Sequence, residues 1–498
     1  MKNKTFYVVS APMGAGKTHS FIEYAKATNN VLLAVPKIDL ADEVAIRMHQ
    51  VGIDPEVIHS RQGHQSSTVD RLSDALNKID GYIVTTHASL LNVNPRQLKG
   101  WKVVVDEVPT IDNCKRSKTV PFSTFHRLFD GLVQVHDDGT CSIAEGVGDH
   151  QMDELYRDHL GSDLKSVEVM LGGLTSRKAG VSLEKRDKGY IIKSADYNDW
   201  RPVVENANEF HVMGNAVWNT LLYQHLCWHG FKPEMSPLTP MFKGYKLPLT
   251  LVPLVNGNSF STLLMKTCVD GSDAGQFDET CLGWVLAEKA FEYHKGERLL
   301  FQCHGWMVKE KRFKRNIEAN HKNVTITEFD VRGLNTYRSY SRTVNMIHGN
   351  PEPVEGRILY EMFDIMGLPA EVGMEAIKFE RLIDPMAQHI LRTGMRDGDA
   401  QQFETVTVLP TMAIAQEIQE ALCCEVEFDN SIMIDPPEKK SKVGNGDRTK
   451  DELISVVCQD YKSGMKKKAI GEQYGISQPT VRKYINEMKK EESVQDTV

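Results

Sequence analysis

Five strand-forming residues, Thr5-Phe6-Tyr7-Val8-Val9, run into Ala11-Pro12-Met13-Gly14-Ala15-Gly16-Lys17-Thr18, and an amphipathic stretch from His19 to Thr28 follows. A run of small residues between a strand and a helix lets backbone N–H groups converge in front of a helix N-terminus, where the helix dipole favours negative charge. Such a turn suits phosphate, with Lys17 reaching the outer phosphates of ATP and the Thr18 hydroxyl offered to Mg2+. Pro12, Met13, Gly14, Ala15, Gly16, Lys17, Thr18 and His19 are the expected nucleotide-binding residues. The usual pattern opens with glycine where this chain has Ala11. The glycines nearest the phosphates remain.

A second signal belongs with the first. Val103-Val104-Val105 runs directly into Asp106-Glu107, which sets two carboxylates at the carboxyl end of a buried strand. In a parallel sheet that end lies on the same edge as the phosphate turn. Asp106 is placed to hold magnesium beside Thr18, and Glu107 to orient and deprotonate an attacking water. Between these signals the chain alternates apolar strands (Val31-Leu32-Leu33-Ala34-Val35 and Tyr82-Ile83-Val84-Thr85) with helical stretches such as Ala41 to Gln50. Strands apolar on both faces, alternating with helices, require a parallel sheet covered on both sides, so the class is α/β.

Later stretches divide less evenly. From about residue 115 to 206 the pattern loosens into polar helical and hairpin-like pieces, read as an insertion. Phe210-His211-Val212-Met213 reads as a return to the sheet, Val217 to Trp228 as helical, and Pro233 to Lys246 as an interdomain connection. A second α/β series follows, with strands expected at Leu249 to Val255, Arg298 to Cys303, Val324 to Phe329, Val344 to His348 and Thr405 to Leu409. The expected division is a first domain over 1–240, a second over 241–435, a linker over 436–450 and a small module over 451–498.

Length sets the scale of this division, since 498 residues have room for roughly three domains. No stretch approaches the ~18 apolar residues of a spanning helix, and the first residues turn to glycine too soon for a secretory leader, so a cytoplasmic protein with no membrane partner is expected. Nine cysteines lie singly except for Cys423-Cys424, with no C-x-x-C pair, and read as reduced thiols. The net charge of -8 hides an asymmetry: Lys439 to Lys490 holds thirteen Lys/Arg against six Asp/Glu. That excess attracts a polyanion even on an acidic chain.

APMGAGKT, VVVDEVP, TTHASL at 85–90 and VPKIDLADE at 35–43 together resemble the motor core of superfamily 2 helicases, the DEAD/DEAH-like group, of phage or bacterial type. The resemblance implies two tandem RecA-like P-loop domains, an ATP-hydrolysing motor that tracks or unwinds nucleic acid, and a place in replication or recombination in a bacterial or phage-infected cytoplasm. It puts Pro36, Lys37, Thr85 and Thr86 along the strand's phosphates. Asp330-Val331-Arg332-Gly333-Leu334-Asn335-Thr336 looks like the group's glycine-containing motif of the second domain, with Gly333 and Asn335 as nucleic-acid contacts. Phe301-Gln302-Cys303-His304 takes the place of a strand-end motif, and Met213-Gly214-Asn215-Ala216 that of the coupling motif by position. Gln388-His389-Ile390-Leu391-Arg392-Thr393-Gly394-Met395-Arg396 resembles the last motif, Q-x-x-G-R-x-x-R, with Leu391 for the glycine and the second arginine one residue late. Gln388, Arg392 and Arg396 are therefore catalytic candidates, either arginine being the finger that senses the γ-phosphate.

The C-terminal stretch Lys466 to Ile485 looks like a helix-turn-helix. Ala469 and Ile470 face inward, Gly475 allows the turn, Ile476 plugs the core, and Ser477 caps a second helix with Val481 and Ile485 inside. Gln478, Thr480, Arg482 and Lys483 are then left for a DNA groove or its phosphates, and the basic excess favours DNA as partner. Two other readings share the phosphate turn: a viral DNA-packaging ATPase, which needs an acidic metal cluster in the second half, and a nucleotide-switched DNA-binding regulator without motor activity.

Overall fold

The computed structural model describes residues 4–62, 66–78, 80–159, 165–176, 179–272, 276–327, 337–422, 424–437, 450–463, 465–474, 480–482 and 484–485. The first five strands are β1 (Thr5–Ser10), β2 (Val31–Val35), β3 (Glu56–Ile58), β4 (Tyr82–Thr86) and β5 (Lys102–Asp106). Helices Lys17–Lys26, Ile38–His49 and Thr68–Asn77 connect them, the last capped by Ser67, whose hydroxyl accepts from Asp70 N. Leu32 and Leu33 of β2 and Val103 and Val104 of β5 are fully buried, as both faces of a covered parallel sheet demand.

An antiparallel sheet follows in the chain: β6 (Lys115–Arg116), β7 (Val120–Pro121), β8 (Val133–Val135), β9 (Thr140–Ile143), β10 (Gly180–Arg186) and β11 (Gly189–Ala195). The β10–β11 hairpin forms its centre, and β7 pairs with β11 off the main path. Phe125, Phe129, Met152, Met170 and Ile192 give it a core of its own. This is the insertion, and its polar helices close over that core.

β12 (Glu209–Gly214) then returns to the first sheet and lies between β1 and β5, giving the all-parallel order β13-β1-β12-β5-β2-β4-β3. The last of these, β13 (Lys232–Met235), is an edge strand beside β1. The stretch from Pro233 therefore begins as sheet, a correction to its reading as connection. Pro233 is tolerated because an edge strand has one side with no ladder to donate to. Val217–Trp228 is a 3-10 turn, Val217–Asn219, followed by helix Leu221–Trp228.

The second series gives β14 (Leu249–Val255), β15 (Leu299–Cys303), β16 (Val324–Thr327), β17 (Arg342–Met346), β18 (Thr405–Thr411) and β19 (Val426–Phe428), in the parallel order β16-β15-β17-β18-β14-β19. The architecture is thus two tandem RecA-like α/β sheets. Both belong to one compact unit, 1–261 with 289–434.

Between β17 and β18 come helices Pro353–Met366 and Ala370–Lys378, a π-helical turn Phe379–Ile383, and helix Asp384–Leu391. Ile358, Leu359, Met362, Phe363, Ala376 and Ile377 of the first two share one hydrophobic cluster with Phe6, Val8, Val212 and Leu226 of the first half. These two helices, although they come late in the chain, therefore complete the core of the first half.

The second compact unit comprises 262–288 and 435–498. In it Val457 of helix Lys450–Lys462 and Ile470 and Tyr474 of the Lys467–Gln473 region pack with Val481 and Ile485. The Tyr474 hydroxyl donates to Asp460 at 2.5 Å. The expected inward residues Ile470, Val481 and Ile485 do share a core; the turn expected at Gly475 lies outside the described residues. Among the described residues no helix is long and apolar enough to cross a membrane.

Candidate nucleotide site

The carboxyl edge of the first sheet brings the two sequence signals together. Ser10 at the end of β1 is in register with Gly214, and Met213 with Asp106, so the end of β12 lies between the phosphate turn and the carboxylate pair. Ala11 N donates to Gly214 O at 2.9 Å, tying the turn to that strand. Gly14 and Gly16 take φ of 82° and 90°, a conformation that costs glycine little and other residues more. Gly16 ends the turn as the residue before helix Lys17–Lys26.

A cavity of about 540 Å3 opens in front of this edge. Pro12, Met13, Gly14, Gly16, Lys17, Thr18, His19, Asp106 and Glu107 line it from the first half, and Gln388, Arg392 and Arg396 from the second. The Lys17 ammonium folds back on the turn, donating to the carbonyls of Ala11 at 2.7 Å and Pro12 at 3.1 Å. Desolvation lowers the Lys17 pKa against the opposing pull of Asp106, Glu107 and Asp384. Asp106 is 6% exposed, and burial raises its pKa in turn, opposed first by Lys17. Both groups are held in a desolvated site, where a bound ion would be felt strongly.

Glu107 adopts φ of 57° without being glycine. Its carboxyl faces Arg392, whose Nη2 lies 4.0 Å from Glu107 Oε1 and whose side chain is 3% exposed. Arg396 arrives differently: its backbone carbonyl abuts the place where a Cβ on Gly14 would stand. Gln388 donates from Nε2 to Asp384 Oδ2 at 2.8 Å, while its buried Oε1 has no protein partner. Nδ2 of Asn215, on the same wall, is likewise buried without one.

ATP and magnesium fit the residues present. Asn215 and Gln388, both lining the cavity, carry an unsatisfied amide donor and acceptor, and buried polar groups of this kind call for a partner. Thr18 and Asp106 supply the oxygen donors that magnesium prefers, usually alongside water and phosphate oxygens. Among the described residues no group of three or more His, Cys, Asp or Glu side chains is gathered to hold a metal.

Several lining residues carry no sequence motif: Arg47 on helix Ile38–His49, Thr220 before helix Leu221–Trp228, Arg338, Glu380 and Asp384. Part of this was legible. Glu380, Asp384, Gln388 and Arg392 recur every four residues, a polar stripe along a segment otherwise apolar but for Arg381 and His389. Burial lifts the Glu380 carboxyl to about 8, although it accepts a hydrogen bond from Leu221 N at 2.8 Å.

The residues expected along a nucleic-acid strand are distributed unevenly. Lys37 is exposed and Pro36 partly so, at the end of β2, and the register Val35 to Thr86 sets them beside Thr86 on β4. Thr86 caps helix His87–Asn92, accepting from Ser89 N at 3.3 Å. Thr85 is corrected: it is fully buried, and its hydroxyl donates to Ile58 O at 2.8 Å, because β4 is an inner strand there. His304, the residue after β15, accepts from His348 N at 2.8 Å. Thr480 is half-buried and Arg482 exposed. Gly333, Asn335, Gln478 and Lys483 lie outside the described residues.

No protein-family model matches the sequence, and neither does any curated protein. Among solved structures the chain is similar to S. cerevisiae Dbp5 bound to RNA and ADP BeF3, at 9% identity and TM-score 0.35, covering 97% of this chain and 89% of that one. It is similar to a DEAD box protein from Methanococcus jannaschii at 12% identity and TM-score 0.28, covering 86% and 89%. It is also similar to T4 UvsW at 8% identity and TM-score 0.23, covering 86% and 74%.

Proposed function

We propose that this chain is an ATP-dependent motor on nucleic acid, a helicase or translocase acting on DNA, in which Mg-ATP hydrolysis between the two sheets drives movement along a strand. The observation that carries the reading is the approach of Arg392, from the second half, to Glu107 of the first across a cavity that also holds Lys17. A cationic group brought from another part of the molecule stabilises transition-state charge and makes the chemistry depend on how the halves meet, which is what a motor requires.

Lys17 and the backbone of the turn hold the phosphates, Thr18 and Asp106 hold the metal, and Glu107 orients the attacking water and accepts its proton. Magnesium, when bound, supplies neutralisation of phosphate charge. Arg392 is the finger on this reading, because it faces Glu107; Arg396, held by its backbone against Gly14, sits second. Lys37, Pro36 and Thr86 form the strand-facing edge, and the basic C-terminal module with Thr480 and Arg482 recruits DNA.

The test is ATP hydrolysis by the full chain alone and with single-stranded DNA, duplex DNA or RNA, beside Lys17→Ala and Glu107→Gln. Stimulation by one polymer, with kcat lowered about 10²-fold or more in both variants, is expected. Hydrolysis indifferent to every polymer would overturn the motor in favour of a nucleotide-switched DNA-binding regulator.

A further inference from the structure

The π-helical turn Phe379–Ile383 interrupts the rod that carries Gln388 and Arg392, and one-turn π segments are enriched at functional sites. Two of its residues reach the first half. Glu380 accepts from Leu221 N, and the Arg381 guanidinium forks between Asp112 Oδ2 at 2.7 Å and Glu355 Oε1 at 2.9 Å. Glu355 lies on helix Pro353–Met366, which is packed into the core of the first half. Arg381 therefore joins Asp112 to a fixed support.

Asp112 has a defined place in the first half. It closes the short loop that begins at Glu107, it bridges to Tyr197, and its Oδ1 accepts from Cys114 N at 2.9 Å. At the other end of that loop Asp106 is fixed by β5, and Glu107 holds a left-handed backbone that a glutamate seldom adopts. Such a conformation persists only where the surroundings over-determine it. The loop is held at one end by the sheet and at the other by Asp112, and Arg381 grips Asp112 from the half that also supplies Arg392.

We propose that Arg381 is a positioning residue for hydrolysis: by holding Asp112 it keeps the Glu107 loop in place, so that Glu107 is aligned only when the half bearing Arg392 is seated. This rests on the reading of the cavity as the hydrolytic ATP site. The fork matters as well as the charge, because a planar guanidinium serves two carboxylates at once where an ammonium is a single point.

The test compares the full chain with Arg381→Ala, Arg381→Lys and Asp112→Asn, measuring kcat and KM for ATP and amide hydrogen exchange over 107–112. Arg381→Ala and Asp112→Asn are expected to lower kcat about tenfold or more, since small misplacements of a catalytic group cost that much, while KM stays within about twofold. Exchange over 107–112 should rise while the strands of the first sheet stay protected, and Arg381→Lys should recover part of both effects. Unchanged exchange in the loop, or kcat unchanged, would overturn the proposal, and so would loss of protection across the whole sheet. If Arg381→Ala does not fold, Arg381→Lys and Asp112→Asn decide by the same readouts. If the unaltered chain hydrolyses no ATP while the loop still loosens in the variants, the hydrolytic reading fails and takes this role with it; if it hydrolyses ATP and the loop is indifferent, only the role of Arg381 fails.

Discussion

Gly14 and Gly16 have nearly the same backbone conformation, yet a methyl group would meet different surroundings at the two. At Gly16 a Cβ would find open space, so Gly16→Ala carries only the cost of a left-handed alanine, about 1–2 kcal/mol. At Gly14 the same Cβ would overlap the Arg396 carbonyl, so Gly14→Ala adds displacement of the segment that bears the second arginine. In urea titrations without nucleotide, Gly14→Ala is expected to lose more stability than Gly16→Ala; equal losses would mean that the Arg396 carbonyl yields freely. At this scale sequence was most informative where chemistry is local. The turn from Pro12 to His19 and the pair Asp106-Glu107 are contiguous, and the strand before each reports its direction. Asn215 and Arg47 could not be read in this way, since what makes them part of the site is a register between β12 and β5 and a helix face turned to the cavity.

The insertion and helix Pro353–Met366 form an element pair whose ion contacts differ in depth. Lys193, with an 8% exposed side chain, meets Glu361 at 3.0 Å, whereas Arg357, 53% exposed, meets Glu184 at 2.6 Å. Glu184 also pairs with Arg186. Glu361→Ala leaves a buried ammonium without that carboxylate, a change of about 1–3 kcal/mol, while Arg357→Ala removes an exposed pair worth about 0–1 kcal/mol. Urea unfolding of the two variants should separate them in that order, and a larger loss for Arg357→Ala would contradict the assignment of depth. The insertion was the least legible element, because β6 and β7 are two residues long and their pairing with β11 comes from 68 to 79 positions away. The inner strands of the two parallel sheets were legible as apolar runs, whereas the more exposed edge strands β3, β13 and β19 were not.

Buried titratable groups set how the whole molecule responds to pH, and they pull in two directions. Desolvation lowers His294 and His304 to about 4 and His389 to about 3, each neutral in the folded chain. His389 sits between Thr327 Oγ1 at 3.2 Å and Asn345 Oδ1 at 2.8 Å. Between about pH 6.5 and those values the unfolded chain binds more protons than the folded one, so stability falls on acidification, by at most about 1.4 kcal/mol per pH unit for each histidine. Glu380 acts oppositely. With a folded value near 8 it holds a proton that the unfolded chain has released, so its contribution is intact below about 4.5 and is lost as pH rises toward 8. The three histidines outweigh one glutamate on the acid side, while above about pH 6.5 the glutamate acts without them. Unfolding free energy measured without nucleotide should therefore fall from pH 6.5 to pH 5 and fall again from pH 6.5 to pH 8. Glu380→Gln keeps an acceptor for Leu221 N and should flatten the alkaline limb while steepening the acid one. This glutamate counts in the fold because helices Pro353–Met366 and Ala370–Lys378 complete the core of the first half and deliver the turn that bears it. Nothing in the local pattern announces such a shared core, since an apolar helix face looks the same whichever sheet it covers. An alkaline limb that Glu380→Gln leaves unchanged would mean that the carboxylate is already ionised at neutral pH.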